Sequence, residues 1–416
     1  MKEVLEQVAD GHQFYHARLP DYSSSDVLPF RISPEPFYLS DEEAQTIERI
    51  GPELNSFMVA TAELYATNGA VHELLDRGKP EIFQDSRQSN YLFLRPDIIV
   101  TPNGFTICEI ETSVFGLALA ELLNQGYISA GFETMADEDA LRVYITENTP
   151  SKGTIAYTDK TDAFAGQLDF LAQKVFSGDY RDWQAAHVSE AIKNKPIYRA
   201  HYLVEYLSDV AVRGLYDTPS AQEQVIPSPT PQFEEKAILA FLWDSRFEEH
   251  YRGALGNAGF DFLRSVIPPT WVVGEEEHFA LGLPGNLSGS IDLASLPRSK
   301  RRFVLKPSGF SQDSSWSEGV SFLHEKSRDD VAHLLGRASF NSTQQLYVVQ
   351  EFNEGVKCAM SYDNTEGAVS IQARVRLTPY FSTTLGELLG IKATGCEGTQ
   401  LIHASTASVN TAVSIK

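Results

Sequence analysis

The segment Leu94–Glu111 most constrains the fold, because it predicts a β-hairpin that carries several charged residues. Tyr91–Val100 and Phe105–Glu111 are rich in β-branched and aromatic residues, which favours two strands. The intervening Pro102-Asn103-Gly104 is typical of a three-residue turn, in which proline presets the type I turn and glycine takes the left-handed position. With this loop, residue 101 is expected to pair with residue 105.

That register sets Asp97 opposite Glu109 and Arg95 opposite Glu111. Because side chains alternate along a strand, all four charged residues are expected to project from one face of the hairpin. The same register adds three apolar side chains to this face: Ile99, Phe105 and Ile107. The face is therefore not expected to be a plain solvent-exposed surface.

Three carboxylates on one sheet face repel one another unless a cation lies between them. Oxygen ligands of this kind favour Mg²⁺, with Mn²⁺ as a second possibility. The sequence therefore predicts a metal site at Asp97, Glu109 and Glu111. The alternative is a solvated polar face of an edge hairpin.

A second feature is the apolar strand Phe303–Lys306, which ends in a lysine and leads into a loop over 308–319. This loop begins with Ser308 and Gly309 and is rich in serine. Backbone N–H groups at glycine, serine hydroxyls and a strand-end lysine are donors that suit phosphate oxygens. The loop is not a GxxxxGK[ST] motif, so a P-loop NTPase is excluded. An ordinary surface loop is the alternative.

Two further strands carry polar groups. The strand over 346–352 ends in Gln350, Glu351 and Phe352, where main-chain groups can meet the edge of an adenine ring. The strand over 369–376 places Arg374 and Arg376 on one face, an arrangement that suits phosphate or carboxylate recognition. A plain core strand and a pair of surface ion pairs are the respective alternatives.

The rest of the chain predicts a helical beginning and a mixed α/β centre. Residues 1–38 are irregular, and a capping box at Ser40-x-x-Glu43 starts a helix that Gly51-Pro52 should kink or split. Further helices are predicted over 69–77, 118–123, 163–175 and 233–243, and further strands over 153–157, 196–201, 303–306, 346–352, 356–362 and 369–376. Residues 217–232 contain four prolines and are the best candidate for a linker.

Composition excludes several classes of protein. Lys and Arg total 34 against 56 Asp and Glu, a net charge of −22, which argues against nucleic-acid or anionic-membrane partners. The beginning of the chain has no apolar signal core, and the longest apolar run is too short to span a bilayer, so a cytoplasmic protein is expected. The three cysteines form no CxxC pair and are expected to be reduced thiols. His324 and His403 are expected to be structural.

In this order, the motifs resemble the circularly permuted ATP-grasp families, which include the synthetase domain of glutathionylspermidine synthase. The family hairpin reads Arg-x-Asp, with twelve residues from that Asp to Glu-x-Asn; here Arg95-Pro-Asp97 precedes Glu109-Ile-Glu111 at the same spacing. The resemblance implies that Asp97, Glu109 and Glu111 bind Mg²⁺ and that Arg95 meets the transferred phosphate. In ordinary ATP-grasp proteins these carboxylates follow the lysine and the hinge; here they come first.

The resemblance also implies that Lys306 and the 308–319 loop hold the ATP phosphates and that Val348–Phe352 forms the adenine hinge. Either Arg374 or Arg376 would be the late phosphate-contacting arginine. The expected fold is mixed α+β and α/β, a permuted ATP-grasp. Its predicted parts are an N-terminal helical segment over 1–90, the ATP-grasp core over 91–145 and 290–416, and a central α/β domain over 150–285.

Two departures from the family pattern stand out. Glu111 replaces the usual Asn, and the chain has no amidase-like domain, so the bifunctional enzyme itself is excluded. The expected activity is an ATP- and Mg²⁺-dependent carboxylate–amine ligase that acts through an acyl phosphate on a small-molecule or peptide acid and an amine. The alternatives are a nucleotide-binding protein without turnover and a PD-(D/E)xK-type nuclease, whose lysine position is Glu111 here.

Overall fold

The computed structural model describes residues 1–14, 27–84, 91–112, 114–191, 196–274, 287, 289–314, 319–364, 367–402 and 405–416. The α-helices are α1 Lys2–Ala9, α2 Asp41–Thr67, α3 Gly69–Asp76, α4 Leu117–Ser129, α5 Ala140–Asn148, α6 Ala165–Phe170, α7 Val210–Leu215, α8 Pro219–Gln222, α9 Ile238–Phe241, α10 Glu248–Val266 and α11 Arg328–Asn341. A π-helical turn over Leu171–Phe176 extends α6. None of the described helices is long and apolar enough to cross a lipid bilayer.

The strands are β1 Arg31–Ile32, β2 Phe37–Leu39, β3 Phe93–Thr101, β4 Gly104–Glu111, β5 Lys152–Tyr157, β6 Asp182–His187, β7 Ile197–Ala200, β8 Val225–Ile226, β9 Thr270–Val272, β10 Phe303–Pro307, β11 Ser321–Phe322, β12 Tyr347–Glu351, β13 Lys357–Asn364, β14 Gly367–Ser382, β15 Leu388–Cys396 and β16 Val409–Ile415. They form a mixed α+β protein with separate sheets.

The largest sheet has the order β1-β16-β15-β14-β3-β4. In addition, β13 pairs with β14, and β2 pairs with β16. Strand β14 is 16 residues long, and along one edge it pairs first with β13 and then with β3. This arrangement joins the acidic hairpin to the strand that carries Arg374 and Arg376. A second sheet, β11-β10-β12-β9, is antiparallel, and a third, β6-β5-β7-β8, is parallel.

One apolar core joins the first two sheets and lies under α2, α10 and α11. A second core surrounds α4 and extends to the third sheet. Burial of apolar surface in these cores is the main force that holds the sheets in place. The packing leaves a cleft where strands of the first and second sheets meet.

The charged residues of the hairpin are paired as predicted, but the turn differs from the predicted one and a bulge is present. Arg95 lies opposite Glu111 and Asp97 opposite Glu109, but Thr101 pairs with Gly104, so the loop has two residues instead of three. A bulge between Asp97 and Ile98 restores the expected register by leaving one extra residue on β4. The pairings were right, and the turn that predicted them was wrong.

The bulge also changes which side chains share the acidic face. Ile99 pairs with Thr106, and both line the cleft with the acids. Phe105 and Ile107 lie in the apolar core instead. The prediction that these two residues share the acidic face was therefore wrong, because the extra residue on β4 reverses the direction of the β4 side chains between the turn and the bulge.

The helix predicted from Ser40 begins there with the capping box, since Ser40 Oγ accepts from the Glu43 backbone N–H and Glu43 accepts from the Ser40 backbone N–H. It is not split at Gly51-Pro52: α2 runs through Pro52. A Cβ at Gly51 would lie 2.0 Å from the carbonyl oxygen of Gly386. Glycine at position 51 therefore lets α2 pack closely against the turn between β14 and β15.

Other elements differ from prediction where tertiary contacts compete with local preference. Residues 31–32 and 37–39 are not irregular, because they extend the largest sheet alongside β16. Residues 217–232 are not a linker, because β8 pairs with β7 and Gln232 is fully buried. The helix predicted over 233–243 is reduced to α9, since the backbone N–H groups of Lys236 and Ala237 donate to Ser308 instead.

Candidate functional site

The cleft between the first two sheets gathers most of the residues that the sequence singled out. It contains about 1110 Å³ of space free of protein atoms, including the part open to solvent. The first sheet contributes Asp97, Glu109, Glu111, Arg374 and Arg376, and the second sheet and its continuation contribute Lys306, Gln350, Glu351 and Phe352. Residues distant in sequence therefore meet in one cleft.

Asp97 lies between two arginines. Its Oδ2 accepts a hydrogen bond of 2.9 Å from Arg376 Nη1, and its Oδ1 lies 3.5 Å from Arg95 Nε. The carboxylate is almost fully buried, and Oδ1 accepts no hydrogen bond from any residue that the structure describes. A buried carboxylate oxygen without a donor is costly, so this atom is suited to a further ligand.

Arg95 lies on β3 of the hairpin but does not line the cleft, and it binds Glu111, with Nη2 2.7 Å from Oε1. It also donates from Nη1 to the Phe115 carbonyl at 2.9 Å. Burial disfavours its charge, but the attraction of Glu111 and Asp97 is stronger and raises the pKa of the guanidinium. Arg95 remains cationic and positions both carboxylates.

Glu109 is bound by Lys236, with Oε2 3.0 Å from Nζ. Burial works to raise the pKa of Glu109, but Lys236 and Lys306 outweigh it and lower the pKa to about 2. Sequence reasoning missed Lys236 because its segment was predicted to be helical. The backbone N–H groups of Lys236 and Ala237 donate to Ser308, which holds this segment beside the cleft.

Lys306 lies on the second sheet and faces the hairpin. Its Nζ donates to Gln350 Oε1 at 2.9 Å and to the carbonyl of Cys108 at 3.2 Å. Cys108 adjoins the bulge of the hairpin. Burial raises the pKa of its thiol to about 11, so the group stays protonated and is a poor nucleophile at neutral pH.

Ser308 and Gly309 were predicted to bind phosphate, but neither residue lines the cleft. Ser308 is fully buried, where its Oγ accepts from the Ala237 N–H at 2.9 Å and its carbonyl accepts from the Lys236 N–H at 3.1 Å. A Cβ at Gly309 would lie 2.7 Å from the Glu234 carbonyl oxygen. Both residues hold the 234–237 segment in place. Ser314 is the part of the described loop that reaches the cleft, and 315–318 lie outside the described residues.

The predicted adenine hinge forms one wall of the cleft, but two of its main-chain donors are already used. The N–H of Glu351 donates to Pro269 at 2.8 Å, and the N–H of Phe352 donates to Arg302 at 2.9 Å. The Phe352 ring stacks on His324, with ring centroids 4.9 Å apart. This contact agrees with a structural role for His324, whereas His403 lies outside the described residues.

Arg374 and Arg376 share one face of β14, as predicted, and both line the cleft. They have different partners. Arg376 binds Asp97, whereas Arg374 donates to Glu354 Oε1 at 2.9 Å and to the Thr399 carbonyl at 3.2 Å. Arg376 is therefore the arginine closer to the acidic residues of the hairpin.

The three carboxylates do not form a preassembled metal site. Among the described residues, no group of three or more acidic, histidine or cysteine side chains lies close enough to hold an ion. Each carboxylate is instead bound to a different cation: Asp97 to Arg376, Glu109 to Lys236 and Glu111 to Arg95. These ion pairs reduce the repulsion between the three carboxylates. The donors still fit Mg²⁺ in kind, and Asp97 Oδ1 has ligand capacity to spare.

Comparisons with known proteins identify the fold. No protein-family model and no curated protein matches the chain. A solved glutathione synthetase-like effector from Globodera pallida, in apo form, is similar with a TM-score of 0.55 and 11% identity, over 100% of this chain and 97% of that chain. A provisionally named gamma-glutamylcysteine synthetase from Methylobacillus flagellatus KT has a TM-score of 0.43 and 12% identity, over 89% of this chain and 87% of that chain. The second score is too low to carry an argument.

The first likeness shows the architecture of this chain: a mixed α+β fold similar to a glutathione synthetase-like protein. The circular permutation, the kinship with glutathionylspermidine synthase and the domain boundaries stay predictions.

Proposed function

We propose that this chain is an ATP- and Mg²⁺-dependent carboxylate–amine ligase. One observation carries the proposal: a single cleft collects an acidic hairpin and two arginines on one wall and a buried lysine on the other. Opposed cations and carboxylates of this kind suit a metal–triphosphate. The glutathione synthetase-like fold supports the same reaction class.

In this proposal ATP lies in the cleft, and Lys306 and Arg376 contact its phosphates. Asp97, Glu109 and Glu111 would hold Mg²⁺, which supplies neutralisation of the charge that develops on the phosphate oxygens. Mn²⁺ could replace it. Lys306 is preoriented by its bonds to Gln350 and to the carbonyl of Cys108. If these carboxylates bound Mg²⁺, the cations that now pair with them, Arg376, Lys236 and Arg95, would be free to contact phosphate or substrate.

The proposed reaction has two steps. A substrate carboxylate attacks the γ-phosphate of ATP, which forms an acyl phosphate and releases ADP. A substrate amine then attacks the acyl carbon, phosphate leaves, and an amide forms as the amine loses its proton. Neither step needs a side-chain nucleophile, which agrees with the protonated state of Cys108.

Calorimetry of ATP binding, with and without Mg²⁺, tests the nucleotide site. We expect Mg²⁺-dependent binding that Glu109→Ala weakens, whereas Glu147→Ala, which removes an exposed carboxylate on α5, leaves it unchanged. The absence of binding at millimolar ATP would refute the proposal. If ATP binds, release of ADP with mixtures of acids and amines tests turnover.

A second candidate is an ATP-binding protein without ligase turnover. Glu111 stands where the permuted family has Asn, and it is tightly bound to Arg95. An extra carboxylate in this place adds negative charge next to the phosphates. Mg²⁺-dependent ATP binding without ADP release across a broad panel of acids and amines would favour this candidate.

A further inference from the structure

A pocket outside the cleft lies on the surface where residues 298–302 meet the segment 324–327. It contains about 740 Å³ of free space, including the part open to solvent. The side chains that line it can all donate hydrogen bonds: Arg298, Ser299, Arg302 and His324. No carboxylate lines the described pocket. It is therefore a positively charged site on a chain whose net charge is −22.

The two segments are joined by hydrogen bonds to main-chain carbonyls. Arg298 Nη2 donates to the carbonyl of Glu325 at 2.9 Å. Arg301, which is buried, donates through Nη2 to the carbonyl of Lys326 at 3.0 Å. A carbonyl accepts a hydrogen bond but does not cancel a positive charge, and Arg298 forms no ion pair with a described residue. The charge of Arg298 is therefore available to a ligand.

Arg302 has a carboxylate partner that a ligand can replace at little cost. Its Nη2 lies 3.4 Å from Glu354 Oε2, and both side chains are about half exposed. Glu354 is bound more closely by Arg374, whose Nη2 lies 2.9 Å from Oε1. If Arg302 turned to another anion, Glu354 would keep Arg374 as its partner. An exposed ion pair of this kind contributes little to stability, so its exchange for a ligand costs little.

His324 separates the pocket from the cleft. Its ring stacks on Phe352, with ring centroids 4.9 Å apart, and Phe352 lines the cleft. Burial, with a smaller effect of the Arg302 charge, lowers the pKa of His324, so the ring is mainly neutral at pH 7. A neutral imidazole can donate one hydrogen bond but adds no charge. The positive charge at the pocket wall therefore comes from Arg298 and Arg302, and it suits a doubly charged anion.

We propose that this pocket binds the phosphate group of a small soluble phosphate monoester, at a site separate from the cleft. The planar guanidinium groups of Arg298 and Arg302 fit phosphate oxygens. The Ser299 hydroxyl and the His324 ring add donors. A phosphate monoester carries nearly two negative charges at neutral pH, which the two arginines balance. A lipid headgroup can carry the same group, but a net charge of −22 disfavours an anionic membrane, so a soluble ligand is expected.

Calorimetry with inorganic phosphate at pH 8 tests the site. Acetate is the singly charged probe, and vesicles that contain phosphatidic acid are the lipid probe. Phosphate is expected to bind about tenfold tighter than acetate, because it engages both guanidinium groups and each charge-assisted contact is on this scale. Binding to the vesicles without binding of free phosphate would overturn the assignment to a soluble ligand.

Arg298→Met is expected to weaken phosphate binding about tenfold. Arg328→Met is the matched control, since Arg328 is also exposed and directly follows the segment 324–327 but does not line the pocket. At about 0.15 M salt the loss of this more distant charge is screened and should change binding less than about twofold. Arg302→Met repeats the test with the second arginine, and urea unfolding confirms that each variant is folded.

The cleft also contains cations that suit phosphate, so Lys306→Met distinguishes the two places. Phosphate binding in the pocket is expected to persist in this variant. Three results would overturn the inference: no binding at millimolar phosphate, binding that Lys306→Met weakens but Arg298→Met does not, and equal losses in Arg298→Met and Arg328→Met. The last result would show general attraction by surface charge. None of them affects the ligase proposal, which depends on ATP binding in the cleft.

Discussion

Lys236→Met is expected to destabilise the protein in a way that depends on pH. Lys236 Nζ lies 3.0 Å from Glu109 Oε2, and the pKa of Glu109 falls from 4.5 to about 2. One pKa unit corresponds to about 1.4 kcal/mol, so the whole shift corresponds to about 3 kcal/mol. Lys236 is the strongest of several cations that act on Glu109. We therefore expect its removal to lower the free energy of unfolding at pH 7 by about 2 kcal/mol.

The sign of the pH dependence follows from the lowered pKa. Ionised Glu109 stabilises the folded state fully above its ordinary pKa of 4.5, and this contribution is lost as the pH falls through about 2. The deficit of Lys236→Met should therefore be largest near neutral pH and shrink as the pH falls from 4.5 towards 2.

Urea unfolding of the wild type and Lys236→Met at several pH values between 2 and 7 measures this deficit. Lys326→Met, on the exposed surface, is the matched control and should change little. In a Glu109→Gln background, Lys236→Met should cost much less at pH 7, because the attraction is already gone. A deficit of the same size at every pH would refute the reasoning and assign the loss to packing.

Three further variants test other parts of the structure. Burial raises the pKa of Glu121 to about 7, so the contribution of Glu121 to the free energy of unfolding should fall between pH 4.5 and 7. In urea unfolding, Glu121→Gln should remove this fall and add about 1–3 kcal/mol at pH 8. An equal gain at pH 4 would contradict the explanation. Gly51→Ala should lower the melting temperature by several degrees, since its Cβ would lie 2.0 Å from the Gly386 carbonyl oxygen; an unchanged melting temperature would show that α2 can shift. Lys306→Met should weaken ATP binding at least about tenfold by calorimetry, and wild-type affinity would remove Lys306 from the phosphate site.

The hairpin shows how far local sequence could predict the site. Asp97 and Glu109 are paired as expected, because a short turn brings the two strands together and leaves few registers. The bulge at the same position could not be predicted, since it depends on how β4 packs on the core and on the cleft. The wrong turn length and the missed bulge compensate each other for the pairing of the acids. They do not compensate for Phe105 and Ile107, which lie between the turn and the bulge and face the core.

Ser308 shows the opposite case. A serine and a glycine after a strand-end lysine are typical of a phosphate loop, but here they are structural. Ser308 accepts from the backbone of Lys236 and Ala237, a contact across about 70 residues that no local pattern reveals. The helical pattern of 233–243 was overridden because these N–H groups found partners outside their own segment.

The amino-acid sequence by itself determined the acidic hairpin, the strand-end lysine and the arginine pair on β14, because each depends on residues close together along the chain. Only the tertiary structure decided which cation binds which carboxylate, and it brought Lys236 to the cleft. The physical reason is that these contacts join segments whose approach is set by the packing of the sheets and cores. Local preferences carry no information about that approach.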